Sequence, residues 1–377
     1  MPGSFDAIVI GAGIVGAACA AALRDEGISV ALLDAASPGS GVTAAGMGHL
    51  VALDESDDEL DLCLYSLRLW REFLDQHPGV GDPLRCGTLW VAEDEHQLAE
   101  AEQRALKLSK RGWSADLVRG EQVRVLEPEL RRGLCGGVRV SGDMVVYPPA
   151  VADHLARDFE RKGGVLLVGC RAVDVREGEA IIADGARITA RHIVVAAGAQ
   201  VGALLPEVAV FGRKGHLAIT DRYPGRLSHQ VVSMSYGQTE AGSGSLAVAA
   251  NVQPRASGQW LVGSCRQDGQ TGTELDPLAL SGVMRSAIEL LPCLAGMNII
   301  RAWTGMRPAS PDGRPIIGAH PGRRGVWLAA GHEGLGVTTS FATARLLADQ
   351  VMGREGEISA APYAPSRFRE LEAWCAD

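Results

Sequence analysis

Three glycines, Gly11, Gly13 and Gly16, stand at the spacing G-x-G-x-x-G between an apolar run and an alanine-rich stretch. Such a turn brings bare backbone against a phosphate. The first glycine permits the tight turn, the second removes the side chain that would meet a pyrophosphate, and the third lets helix and strand pack closely. The helix that follows presents its N–H groups and the positive end of its dipole to the anion. Asp34 closes the next apolar run, where a carboxylate accepts hydrogen bonds from ribose hydroxyls. Together these residues point to a dinucleotide, without separating NAD from FAD.

A second set of residues lies elsewhere in the chain. Arg307 stands between Met306 and Pro308, close to Trp303. A guanidinium can grip a carboxylate through two parallel hydrogen bonds; a structural pairing with a carboxylate such as Asp312 is the other reading. Gly331-His332-Glu333-Gly334-Leu335-Gly336-Val337-Thr338-Thr339 lies between an apolar run and a helix expected from near Ser340. The free N–H groups of that helix start would stabilise negative charge, or the segment is a glycine-rich turn and nothing more. His49 follows a run of small residues and could line a cavity, accept a proton or simply pack. His216, in Lys214-Gly215-His216, is read first as structural. Arg266 and Tyr236 could face a ligand, but sequence does not give their direction.

The elements that position these residues follow from hydrophobic pattern. Asp6–Ile10 reads as a buried strand, Ile14–Glu26 as a helix stopped by Gly27, and Ile28–Leu33 as a second strand, a βαβ unit. Asp58–Gln76, Gln97–Arg111 and Pro149–Lys162 read as helices, and Val165–Val168, Ile193–Gly198 and Val326–Ala330 as strands. Ser340–Met352 reads as a closing helix. Between about 209 and 270, alternating and β-branched stretches broken by Gly, Pro and Ser read as antiparallel sheet. Nucleotide-binding material at both ends with antiparallel material between suggests a discontinuous domain carrying an insertion.

Bulk properties narrow the class. A chain of 377 residues with a formal net charge of -9 has no basic footprint for nucleic acid. No apolar run reaches membrane-spanning length, and the N-terminus lacks a basic region preceding its apolar stretch, so it reads as a first strand. The eight cysteines are scattered with no CxxC-like pair, which argues against an iron–sulfur or zinc centre. Scattered thiols without a signal peptide fit a cytoplasmic protein.

The N-terminal glycines, Thr43 to Met47, Val173 with Ile193 to Gly198, Trp303 to Pro308, Asp312 to Gly318, and Gly331 to Thr339 together resemble the D-amino acid oxidase-like family of FAD oxidoreductases, nearly end to end. The resemblance implies an α/β fold. A Rossmann-like, discontinuous FAD-binding domain would come from residues 1–82, 148–208 and 298–377, and an inserted, mainly antiparallel β substrate domain from 83–147 and 209–297. FAD would be held by Gly11, Ala12, Gly13, Ile14, Val15, Gly16 and Asp34, by Thr43, Ala44, Ala45, Gly46 and Met47, by Val173, Ala197 and Gly198, and by Gly305 and Arg307. Gly331, His332, Gly334, Leu335, Gly336, Val337 and Thr338 would complete the set, facing the flavin where negative charge gathers on reduction. Arg307 would grip the substrate carboxylate, and His49 is the second candidate catalytic residue.

Two departures matter. Some members attach FAD through a cysteine near the C-terminal glycine motif, but no cysteine lies between residues 294 and 374, so FAD is expected to be non-covalent. Glycine oxidase-like members carry an aromatic–arginine pair after the motif histidine, where this chain has Glu333-Gly334. Ala44–Ser56, Tyr65–Phe73 and Ala330–Asp349 are most similar to catalytic subunits of D-hydroxyproline dehydrogenase, opine oxidase and hydrogen cyanide synthase. The implied activity is oxidation of the C–N bond of a small amino or imino acid, D-hydroxyproline first, with opines, glycine or other D-amino acids as alternatives. Partner subunits carrying a 2Fe-2S centre and a further flavin are expected on the same ground. A flavin-binding subunit without turnover is the reading from another class.

Overall fold

The computed structural model describes residues 4–53, 56–237, 246–270 and 272–368; the side chain of Tyr236, and Cys375, lie outside them. Two large sheets organise the chain. The first runs in the order Ile316–Ala319, Val326–Ala330, Arg187–Val195, Ser4–Ile10, Val30–Leu33, Val165–Leu167. Along this path the pairings are parallel except between Ile316–Ala319 and Val326–Ala330, and the strands Glu179–Ile182 and Ala172–Arg176 extend the sheet antiparallel from Arg187–Val195. Its middle strands are apolar on both faces, as the run Ala7-Ile8-Val9-Ile10 predicts, because helices or further strands cover both.

One face carries the helices Ile14–Asp25, Asp57–Gln76, Pro148–Arg161 and Gly336–Val351, whose buried residues join one core. Ser56 caps the second of these by accepting from Glu59 N at 3.1 Å, and Asp57, Asp58 and Glu59 occupy its positive end. Within it, Trp70 is fully buried, packs edge-on against Phe341 at 4.5 Å, and donates its Nε1–H to the Val337 carbonyl at 3.0 Å. Burial of an indole contributes on the order of 3 kcal/mol, and here it fixes the first turn of Gly336–Val351. That helix starts four residues before the expected Ser340. The reason is local: Glu333–Leu335 already winds as a 3-10 turn, and the Thr339 hydroxyl bonds back to the Leu335 carbonyl at 2.8 Å.

The second sheet runs Ile299–Ala309, Phe211–Arg222, Gln259–Arg266, Ala247–Pro254, Gln230–Ser233, Thr88–Ala92, Gly136–Val140, Ala115–Arg119. All its pairings are antiparallel except that between Gln230–Ser233 and Thr88–Ala92. Residues 299–309, grouped by sequence with the nucleotide-binding segments, form its first strand. The helix Pro277–Leu290, capped by Asp276, packs Ala279, Val283, Ala287 and Leu290 against Val231, Val252 and Val262 on one face of this sheet. The opposite face turns toward the first sheet's helices. Among the described residues no helix is long and apolar enough to cross a membrane.

Candidate active site

The glycine turn is built as its spacing predicts. Gly11 adopts φ +104°, and a Cβ there would lie 2.5 Å from the Ala196 carbonyl oxygen. A Cβ on Gly16 would lie 1.8 Å from the Gly11 carbonyl oxygen. Gly13 differs: a Cβ there would meet only Thr43 Oγ1, at 3.1 Å. Its Cα therefore faces open space at the N-terminus of Ile14–Asp25, which fits a pyrophosphate. Thr43 Oγ1 accepts from Ile14 N at 3.0 Å, tying the small-residue stretch to the helix start.

Asp34 accepts from Ala12 N at 2.6 Å and from Ala36 N at 2.7 Å. It thus fixes the glycine turn while keeping further acceptor capacity toward a ribose. Ala196 packs against Gly11, and Gly198, at φ +56°, borders Val42. Val173 lies on the strand Ala172–Arg176 and is exposed; Cys170, before it, donates its N–H to the Asp34 carbonyl at 2.7 Å. These residues lie around the C-terminal ends of the parallel strands, where α/β sheets bind nucleotides. The residues present fit FAD.

From this end the chain runs to the second sheet through Ala45 and Met47. Trp303 Nε1 donates to the Ala45 carbonyl at 3.2 Å, and a Cβ on Gly305 would sit 2.7 Å from Ala45 Cβ. Gln253 Nε2 holds the Met47 carbonyl at 2.6 Å, assisted by Arg255 at 3.1 Å. Thr338 Oγ1 donates to the His49 carbonyl at 3.0 Å. His49, tied in this way to the first turn of Gly336–Val351, lines a recess of about 550 Å³, its open mouth included. Its lining includes His49, Val51, Trp90, Asn251, Glu333 and Gly334.

Arg307 lies along Gly215 of the neighbouring strand, where a Cβ would be 2.8 Å from both terminal guanidinium nitrogens, and borders Gly334. Its Nη1 donates to the Cys265 carbonyl at 2.9 Å. Among the described residues no carboxylate pairs with it. Asp312 is instead forked by Arg367, at 2.8 and 3.1 Å. Arg213, directly across the strand pair, is committed: it forks Asp268 at 2.7 and 3.2 Å and donates to Glu333 at 2.9 Å. Burial opposes the Arg213 charge, but these two carboxylates outweigh it and raise its pKa above the ordinary arginine value. Arg266 reaches the same Glu333 carboxylate at 3.4 Å. Glu333 holds φ +46°, an uncommon conformation for a residue with a side chain, and the two arginines hold its carboxylate.

The histidines divide by environment. Burial, and then the Arg307 charge, push His49 down to about 4 against a hydrogen bond with the Gly334 backbone that raises it. His49 is therefore neutral at neutral pH. His332 is buried, its Nε2 is 3.0 Å from Thr343 Oγ1, and burial lowers it to about 4. His216 accepts from Asp276 N at 2.9 Å and joins the strand Phe211–Arg222 to a helix start, a structural role. A depressed histidine pKa stabilises the fold fully above its unfolded value of 6.5, and that stability is lost as pH falls toward about 4. For His332 the loss amounts to about 3 kcal/mol. Urea unfolding of wild type and His332→Asn, compared across that pH window, is expected to show a drop in wild type that is smaller in the variant by this order. Equal drops would remove His332 from the account.

Trp90, Asn251 and the Glu333–Arg213 pair were not singled out by sequence. Each depends on strand register between segments far apart in the chain. The one local signal was Glu333-Gly334, the departure from the pair that the resemblance implies after His332.

Comparison with known proteins follows the same lines. The sequence profile of the family described as FAD dependent oxidoreductase matches residues 6–350. Glycine oxidase of Pseudomonas aeruginosa is 30% identical over 381 residues, covering 95% of this chain and 98% of that protein. The hydrogen cyanide synthase subunit HcnC of the same organism is 25% identical, covering 97% of each. Among solved structures, L-proline dehydrogenase from P. horikoshii superposes with a TM-score of 0.89 at 19% identity, covering 99% of this chain and 100% of that one. At that identity the likeness speaks for fold alone.

Proposed function

This chain belongs to the family of FAD-dependent oxidoreductases, and from that premise we propose that it oxidises the C–N bond of a small amino or imino acid held by its carboxylate. D-hydroxyproline or a related cyclic imino acid is the substrate we assign. The observation that carries the reading is Arg307: a guanidinium beside the recess with one carbonyl partner and no carboxylate among the described residues. Relatives named glycine oxidase support the class, since that name states an amino acid as substrate.

FAD would be held by the glycine turn, Asp34, Thr43 and the Gly331–Thr338 segment, and bound there it supplies a two-electron acceptor for the hydride leaving the substrate carbon. Arg307 fixes the carboxylate, and with it the direction of the adjacent C–H bond; orientation of this kind accounts for a large share of such a barrier. His49 stands beside it as a neutral imidazole. A base with a pKa of about 4 is poorly matched to taking a proton from an ammonium at neutral pH. The substrate nitrogen must then arrive neutral, and His49 shapes the cavity without adding charge. Apolar Val51, Leu53 and Leu335 line the same recess.

An anaerobic screen tests this. D-proline, cis- and trans-hydroxyprolines, octopine, glycine and sarcosine are mixed with the yellow protein and bleaching is followed. Cyclic imino acids are expected to bleach fastest, with efficiency rising toward high pH as the substrate amine loses its proton. No bleaching by any compound would return the chain to the role of a flavin-binding subunit. The relation to HcnC, named as a subunit, supports a further part of the reading: partner chains carrying a 2Fe-2S centre and a second flavin would take the electrons onward.

A further inference from the structure

The strands Thr88–Ala92, Gln230–Ser233 and Ala247–Pro254 lie side by side in a register that places Trp90 beside Val232 and Val232 beside Asn251. Residues directly opposite on neighbouring strands share a face. The alternate residues Leu89, Val91, Val231 and Val252 are buried with the helix Pro277–Leu290 on the other side. Trp90, Val232 and Asn251 therefore form one row, and all three line the recess.

The row carries two polar atoms without partners. Asn251 is 5% exposed and Trp90 is 4% exposed. Asn251 Oδ1 and Trp90 Nε1 are buried, and neither is hydrogen-bonded. Buried polar atoms nearly always find a partner, so each exception calls for a reason. Gln230, in the same recess, shows the contrast: its amide donates to Thr88 Oγ1 at 3.1 Å and to the Met144 carbonyl at 3.3 Å. Trp90 is also held in place, with the Arg104 guanidinium 4.1 Å from its ring centre.

We propose that this row recognises a hydroxyl group on the far end of the substrate, donating to Asn251 Oδ1 and accepting from Trp90 Nε1, and that Asn251 is the residue that sets this specificity. The proposal rests on the reading that Arg307 holds the substrate carboxylate. A lone acceptor and a lone donor on one wall, on either side of Val232, match a group that can both donate and accept. A hydrocarbon end would leave both atoms unsatisfied. A second carboxylate would set its charge against the Asn251 oxygen with no proton to share. The wall thus favours a hydroxylated imino acid over a dicarboxylic one.

The test measures anaerobic flavin reduction by D-hydroxyproline and D-proline in wild type, Asn251→Leu and Trp90→Phe, with flavin content and Tm recorded for each. Wild type is expected to favour the hydroxylated substrate by at least about tenfold, since a site that hydrogen-bonds a hydroxyl discriminates strongly against its absence. Asn251→Leu is expected to bring that ratio close to one, and Trp90→Phe to lower it. Because leucine of similar size removes an unpartnered oxygen, Tm should not fall. A ratio unchanged in flavin-loaded Asn251→Leu overturns the proposal. So does a sharp fall in Tm, which marks a structural asparagine. If wild type is reduced by no amino or imino acid, the functional reading fails separately. The wall is then read by titrating the same two compounds against the flavin spectrum, and equal affinity in wild type overturns it.

Discussion

Reduction of the Arg307→Lys variant by the best substrate of the screen is expected to be slower than wild type by on the order of a hundredfold or more. Lysine keeps the positive charge but loses the planar fork, so a carboxylate is still attracted yet no longer held in one orientation. A carboxylate free to pivot misaims the reacting C–H bond, and small misplacements cost rate steeply. The loss should appear in the reductive half-reaction as well as in affinity. The fold should tolerate the change. Arg307 gives up one hydrogen bond to the Cys265 carbonyl, worth about 1 kcal/mol, and no ion pair among the described residues. Flavin content near wild type with near-normal reduction would remove Arg307 from the substrate site; loss of flavin or of folded protein would make it structural.

The second large effect separates two glycines of one turn. Gly13→Val is expected to yield folded, colourless protein. A Cβ there meets only Thr43 Oγ1, at 3.1 Å, but the side chain occupies the space in which a pyrophosphate must approach the backbone. Gly16→Ala is expected to fail earlier. Its Cβ would sit 1.8 Å from a backbone oxygen, a clash no side-chain rotation relieves, with a cost of about 3 kcal/mol or more. Flavin absorbance relative to protein, together with Tm, distinguishes the two. A yellow Gly13→Val protein would sink the assignment of this turn to the cofactor.

What could be read in the sequence was what is local. Gly11, Gly13, Gly16 and Asp34 lie within one βαβ unit, and their roles follow from spacing. The helix Asp57–Gln76 was visible from Asp58 onward in its apolar face. The cavity wall was not. Whether Asn251 faces the recess or the helix Pro277–Leu290 depends on register among strands drawn from residues 88 to 266, and a shift of one residue would reverse it. The partner of Arg307 was open for the same reason: Asp312 is five residues away, yet Arg367 claims it. The helix Pro277–Leu290 was passed over although Asp276-Pro277 is a sound start signal. Residues 299–309 were assigned by their neighbours in sequence, whereas their strand pairs with residues 211–222.

The pairing of the strand Ser4–Ile10 with Arg187–Val195, and of that strand with Val326–Ala330, has a consequence for how the molecule comes into being. The strand Ser4–Ile10 can pair early with Val30–Leu33, but its other neighbour is synthesised some 180 residues later, and the helix Gly336–Val351 arrives later still. Closing such long loops is entropically costly before any contact repays it, so folding is slow and leaves apolar edges open meanwhile. The dinucleotide then acts as a late ligand, binding only the completed arrangement and drawing the chain toward it by mass action. Flavin supply during synthesis should therefore govern how much of this protein a cell accumulates.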